Sequence, residues 1–273
     1  MTRQVFVGDV AIGGDAPVSI QSMSNIDTKN VQEVLRQIDE MRDAGCQIMR
    51  LAVPDIEAAS AFGQIKEKSS LPLVADIHFD YRLAIIAMEN GADKIRLNPG
   101  NIGGKENIKK VVDVAKERKI PIRIGVNSGS LERDILRKYG GVTARGMVES
   151  AQKNIGLLQE FNFDDIVVSL KASNPKLNFE SYRMMSARSQ FPLHVGVTEA
   201  GTVESGKIKS AVGIGALLLL GIGDTIRVSL TGDPLNEIKV AKSILEAAGL
   251  HLSPIEMISC PTCGRTGVDL SKI

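Results

Sequence analysis

KIRLNPGNIGGKENIKKVVDVAKERKIPIRIGVN, residues 94–127, contains the change of rhythm that decides the fold. Its two ends, KIRLN (94–98) and IRIGVN (122–127), are short runs rich in β-branched residues, and NIKKVVDVAKERKI (107–120) between them repeats its apolar residues every three or four positions. That is a strand, a helix and a second strand, with Pro121 opening the last. Two such strands joined through a helix lie parallel, and the crossover is right-handed. The same alternation runs down the chain: VSIQSMS (18–24), IMRLAV (48–53), LVADIHF (73–79), DIVVSLK (165–171), LHVGVTE (193–199) and TIRVSL (225–230) read as further strands. NVQEVLRQIDEMRDAG (30–45) is a helix of matching type, stopped by Gly45. Eight strands in 273 residues imply a closed (β/α)8 TIM barrel. An open doubly wound sheet is the competing layout, and it lacks the Gly-rich dinucleotide fingerprint after its first strand. VFVGDVAIGG (5–14) reads as an N-terminal β-hairpin turning at Gly8-Asp9, placed to plug the bottom of the barrel. Residues 128–164 leave room for two helices.

Composition excludes several functions. With 33 basic and 32 acidic residues the formal net charge is +1, so no basic field points to nucleic acid or to a membrane surface. Trp is absent and aromatic residues are 4%, which removes the platforms that stack bases. The longest apolar run, AVGIGALLLLGIG (211–223), is too short and Gly-rich to span a bilayer and reads as a buried helix. No signal peptide is visible, and three cysteines in so long a chain suit a reducing cytoplasm better than a disulfide framework.

Barrel enzymes place their chemistry at the C-terminal ends of the strands. Here those ends carry Arg50, Asp76, His78, Arg96, Asn98, Arg123, Asn127, Lys171, Glu199, Arg227 and Ser229. Residues two or four apart on a strand share a face, so Asp76/His78, Arg96/Asn98, Arg123/Asn127 and Arg227/Ser229 each point one way. A single arginine at a strand end ordinarily serves as an ion-pair partner. Four arginines and a lysine at one mouth, against one Asp and one Glu, leave an excess that calls for an anion. The guanidinium fork matches phosphate oxygens, so a phosphate or diphosphate is the expected ligand. NPGNIGG (98–104) and LTGDPLNEI (230–238) lead into helix N-termini and are secondary anion candidates. His78 and Glu199 are the candidate proton-transfer groups, with Asp76 beside His78 as partner or as a simple orienting group. Lys171 suits phosphate binding or a Schiff base, the latter giving a lyase acting on a phosphorylated carbonyl. A non-catalytic module that binds phosphometabolites is the third reading.

Cys46 follows Gly45 at the bottom of the barrel and reads as a small buried apolar residue. Cys260 and Cys263 form a C-x-x-C pair in a Pro- and Gly-containing turn, a spacing that suits zinc, an iron–sulfur cluster or a redox disulfide. Two ligands do not close a metal site, so a second chain or further sequence has to supply the rest.

Nine stretches in order resemble the 4-hydroxy-3-methylbut-2-enyl diphosphate synthase family of iron–sulfur reductases in the non-mevalonate isoprenoid pathway. They are VFVGDVAIGGDAPVSIQSMSN (5–25), RLAVP (50–54), LVADIHFDYRLA (73–84), KIRLNPGNIG (94–103), PIRIGVNSGSL (121–131), VVSLKAS (167–173), LHVGVTEAG (193–201), TIRVSLTGDP (225–234) and SCPTCGRT (259–266). The resemblance implies reductive ring opening of 2-C-methyl-D-erythritol 2,4-cyclodiphosphate to the linear hydroxymethylbutenyl diphosphate and water. It implies a barrel that grips the diphosphate through Arg50, Arg96, Asn98, Arg123, Asn127, Lys171, Arg227 and Ser229, with Asp76, His78 and Glu199 near the reacting atoms. It implies a [4Fe–4S] cluster held by three cysteines and a glutamate, of which Cys260 and Cys263 match the first two. Electrons would come from ferredoxin or flavodoxin, and two subunits would pair head to tail as a homodimer. On this resemblance residues 1–255 are the substrate-binding barrel and 256–273 the start of the cluster domain, whose remaining ligands are not in the sequence. A chain so composed is expected to bind diphosphate but to lack the cluster and not to turn over alone.

Overall fold

The computed structural model describes residues 1–250 together with Arg265 and Gly267. The barrel strands are β3 (Ser19–Met23), β4 (Ile48–Ala52), β5 (Leu73–Asp76), β6 (Lys94–Arg96), β7 (Ile122–Asn127), β8 (Ile166–Lys171), β9 (His194–Val195) and β10 (Thr225–Ile226), preceded by β1 (Val5–Val7) and β2 (Val10–Ile12). Helices α1 (Val31–Ala44), α2 (Ile56–Lys68), α3 (Tyr81–Glu89), α4 (Lys105–Arg118), α5 (Arg133–Tyr139), α6 (Ala144–Gln159), α7 (Pro175–Ser186), α8 (Val203–Leu218) and α9 (Leu235–Ala247) surround them. The eight strands pair in the order β8-β7-β6-β5-β4-β3-β10-β9, every pair parallel. The ring closes between its two ends: Val168 bridges Leu193 in parallel, and the Val168 N–H donates to Pro192 O at 2.9 Å. This is the expected TIM barrel, with α5 and α6 filling residues 128–164.

Strand alternation divides the side chains. Met49, Leu51, Leu73, Ala75, Ile95, Ile122, Ile124, Ile166, Val168, Val195 and Ile226 turn outward into the main apolar core beneath the helices. The inward set begins apolar at the bottom. Val5, Val7 and Ile12 of the antiparallel β1–β2 hairpin pack against Ile48, Val74 and Val167 from inside the ring. The hairpin therefore plugs the barrel as expected, and above this dry floor the inward residues become polar and charged.

Two expectations change. The strands expected at 193–199 and 225–230 pair only over His194–Val195 and Thr225–Ile226; the Arg227 N–H still donates to Val195 O, and beyond it the regular ladder stops. The run 211–223 is buried on one side only: Gly213, Ile214, Leu217 and Leu218 face the core while Val212, Leu219 and Leu220 are exposed. Among the described residues no helix is long and apolar enough to cross a membrane.

Ile12 is fully buried in the plug, whereas Phe6 on the same hairpin is 56% exposed. Ile12→Ala should cost about 2–5 kcal/mol by loss of contact and creation of a cavity, and Phe6→Ala about 0.5 kcal/mol or less. Urea denaturation of the two variants measures the contrast, and equal losses would show that the hairpin does not seal the barrel.

Candidate active site

At the C-terminal end of the strands a cavity of about 130 Å³ is lined by Arg50, Asp76, His78, Arg96, Arg123, Gly125, Asn127, Ser169, Lys171, Val197, Thr198, Arg227 and Ser229. Nine of the residues singled out from the sequence meet there. The other two do not line it. Asn98 is turned to the next strand, its amide N–H donating to Gly125 O (2.9 Å) and its Oδ1 accepting from Gly125 N–H (2.8 Å), so it ties the end of β6 to β7. Glu199 is exposed and holds a left-handed φ of +51°, a strained backbone for a residue with a Cβ. Of the two anion loops, NPGNIGG commits the Gly100 N–H to Asn154 Oδ1, and the Leu230 N–H that opens LTGDPLNEI donates to Glu237.

Asp76 organises one side of the mouth. It is buried, with Oδ1 accepting from Arg96 Nη1 at 3.2 Å and Oδ2 3.6 Å from Arg50 Nε and 3.7 Å from His78 Nε2. Burial opposes its charge, but Arg50, the neighbouring His78, Arg96 and Arg123 outweigh burial and hold the carboxyl far below its ordinary range. His78 is more exposed and stands 3.4 Å from Arg96 Nη1. Burial lowers Arg50 to about 10, which leaves it charged at neutral pH.

The second carboxylate at the mouth is one that strand-end reasoning missed. Glu237, in the first turn of α9, accepts from Ser22 Oγ (2.8 Å) and Leu230 N–H (3.1 Å) and lies 3.6 Å from Arg227 Nη2. Its signal was helical spacing, since Glu237 shares the buried face of Ile238, Ala241, Ile244 and Leu245. Met23 was missed as well: its sulfur accepts from Arg50 Nη2 (2.8 Å) and Nε (3.2 Å), a weak acceptor beneath a strong donor. Lys94 and His194, fully buried lower in the barrel, were findable by continuing the two-residue alternation down β6 and β9.

The arginines keep unmatched donors. Arg123 gives one N–H to Ser169 Oγ (2.9 Å), while its Nε and Nη2, and Arg227 Nε, are buried with no partner among the described residues. Gly125 makes room for Arg96: a Cβ there would stand 2.7 Å from Arg96 Nε. A larger groove, about 640 Å³, lies outside the barrel between α8 and α9, lined largely by small and apolar residues such as Ala211, Gly215, Ala216 and Ala247. It gathers none of the strand-end side chains, so the chemistry belongs to the mouth.

Cys46 is buried, donates to Ile48 O at 3.2 Å, and is pushed up to about 11 by burial, so its thiol stays protonated and structural. Cys260 and Cys263 fall outside the described residues. Among the described residues no three His, Cys, Asp or Glu side chains come together to hold a metal.

Residues 2–242 match the GcpE TIM-barrel domain. The chain belongs to the GcpE family. It is 59% identical over its whole length to the 4-hydroxy-3-methylbut-2-en-1-yl diphosphate synthase (flavodoxin) of Caldanaerobacter subterraneus subsp. tengcongensis, spanning 77% of that protein. It is 54% identical over 98% of its length to the same-named enzyme of Geobacter sulfurreducens, covering 76% of it. The 3-dehydroquinate dehydratase of Geobacillus kaustophilus has a TM-score of 0.64 at 12% identity, over 90% of this chain and 99% of that one. A sialic acid synthetase from Leptospira borgpetersenii gives 0.63 at 14%, over 94% and 93%. At these identities the two structures show the barrel alone. The GcpE barrel carries the oxidoreductase assignment through its close relatives, and the Schiff-base lyase and binding-module readings give way to it.

Asp76→Asn should cost about 3–5 kcal/mol at pH 7 by leaving buried guanidinium groups uncompensated. Because the folded-state carboxyl is depressed, the wild-type advantage is complete above the ordinary value of about 4 and is lost as pH falls below it toward the depressed value. Denaturant midpoints at pH 7 and pH 3 measure this, and a constant gap between the two proteins would contradict the depressed carboxyl.

Proposed function

We propose that the mouth binds the diphosphate of 2-C-methyl-D-erythritol 2,4-cyclodiphosphate, so that this chain grips and orients the substrate for reductive ring opening to hydroxymethylbutenyl diphosphate. The observation that carries this reading is the set of buried donors on Arg123 and Arg227 with no acceptor among the described residues, in a cavity lined by four arginines and Lys171. Buried donors of this kind are costly unless an anion meets them. Arg50, Arg96, Arg123, Arg227 and Lys171 are the proposed diphosphate ligands, with Asn127 and Ser229 adding uncharged hydrogen bonds at the rim. His78, held beside Asp76 and Arg96, is the proposed proton donor to an oxygen released from the ring. The exposed Glu199, at the top of the strand that starts with β9, is proposed to face the reacting carbons from above, and Asn98 to act through Gly125 by fixing β7.

The described residues do not fit an iron–sulfur cluster, so no step here runs through one. The relatives' name includes flavodoxin, and we propose that donor class for this chain, with Cys260 and Cys263 as two thiolate ligands of a [4Fe–4S] cluster. That cluster, when bound, supplies the electrons. The barrel's residues supply position and charge. Head-to-tail pairing of two subunits is proposed on the family resemblance.

Calorimetric titration with the cyclodiphosphate tests the reading. Wild type should bind, less tightly at higher salt, and Arg123→Gln should weaken binding roughly 10- to 100-fold through loss of charge-assisted hydrogen bonds. A folded wild type that ignores the ligand, or an Arg123→Gln variant that binds it equally well, would reject the assignment.

A further inference from the structure

Among the described residues the lysine of the mouth makes one side-chain hydrogen-bond contact, and that partner lies deeper in the barrel. Lys171 Nζ is 3.3 Å from His194 Nε2, and both residues are buried. The lysine can lie there because β9 is followed by glycine: a Cβ on Gly196 would stand 2.9 Å from Lys171 Nζ and 3.1 Å from Cε. The strand under the imidazole is pinned as well, since Tyr182 Oη donates to His194 O at 2.6 Å.

The other ring nitrogen, Nδ1, is buried and without a partner among the described residues. In the sheet register His194 sits beside Thr225, and Thr225 beside Ser19. Their inward atoms, His194 Nδ1, Thr225 Oγ1 and Ser19 Oγ, are all buried and without partners among the described residues. With the ring proton on Nδ1, Nε2 keeps its lone pair and is free to accept from Lys171.

We propose that His194 is a positioning residue that holds Lys171 at the floor of the mouth, and that the Lys171–His194 pair takes up a proton from solvent when the diphosphate binds. This rests on the diphosphate reading above. The surroundings explain it. Arg123 from β7, Arg227 from the end of β10 and Arg50 from β4 disfavour a charge on Lys171, and Arg123, Lys94 from β6 and Arg50 disfavour one on His194. The nearby carboxylates are already engaged, Asp76 by Arg50 and Arg96 and Glu237 by Ser22, Leu230 N–H and Arg227. Burial first, and then this ring of cations, lowers both Lys171 and His194 well below their ordinary values. In an empty mouth a charge on the amine is therefore disfavoured. A diphosphate adds negative charge where the cations had none to answer, and the amine becomes an ammonium. It then donates one N–H to His194 Nε2 and turns the others toward the anion. The bound state holds more protons than the free one, so affinity falls as pH rises through a window below the ordinary lysine range.

The test uses the whole chain and inorganic pyrophosphate, titrated calorimetrically at several pH values in buffers of different ionisation enthalpy. Titration of pyrophosphate itself is common to all proteins and cancels in comparison. Wild type should take up about one proton more than Lys171→Met. His194→Gln, whose amide oxygen still accepts from an ammonium, should keep affinity within a few-fold, while His194→Leu should lose roughly tenfold and alter the slope of log Kd against pH. Should a variant fail to fold, the ¹⁵Nζ shift of Lys171 in wild type decides, amine-like in the free protein at pH 8 and ammonium-like with pyrophosphate. Equal proton uptake in wild type and Lys171→Met, or an ammonium signal before pyrophosphate is added, would overturn the proposal. A folded wild type with no pyrophosphate affinity would overturn the diphosphate reading and this inference with it.

Discussion

The buried carboxylate of Asp76, between Arg96 at 3.2 Å and Arg50 at 3.6 Å, is the contact on which the geometry of the mouth depends. Guanidinium groups cannot shed their charge, and holding several of them in one enclosed space without a counter-ion would expel them or open the barrel. Asp76 answers two of them from β5, and Glu237 answers Arg227 from α9. Arg123, between these pairs, forms no ion pair among the described residues. The site is thus neutralised at its edges and under-neutralised at its centre, which gives an incoming anion a position as well as an attraction.

Glycine settles how close the cations can come. The inward positions Gly125 and Gly196 stand opposite Arg96 and Lys171, where any side chain would collide with the charged group. Each cation can lie flat across a neighbouring strand, its aliphatic stem buried and its polar end toward the cavity. A barrel with alanine at both positions would have the same topology and a differently shaped mouth.

Most of the fold was legible because it rests on periodicity. The alternation in 94–127, repeated through the chain, specifies strands, helices and their parallel order, and the GD turn specifies the hairpin. What was not legible was where pairing stops: the ladders of β9 and β10 end after two residues each although the apolar pattern continues. Nine of the mouth residues were reachable because they sit at strand ends. Glu237 was not, because it arrives from a helix. Asn98, expected to share a strand face with Arg96, lies beyond the end of β6 and its amide spends its hydrogen bonds on Gly125, a choice set by distance to the neighbouring backbone rather than by sequence position. Lys94 and His194 lay on the right faces but below the level that strand-end reasoning surveys.

The hairpin beneath the barrel has an electrical meaning beyond its role in packing. Val5, Val7 and Ile12, seated on Ile48, Val74 and Val167, fill the lower end with hydrocarbon and exclude water from it. Field lines from Arg50, Arg96, Arg123 and Arg227 cannot spread into solvent through that insulating base. They leave through the upper opening, concentrated as by a lens. The plug thereby directs the influence of the cations toward the upper opening of a chain with almost no net charge.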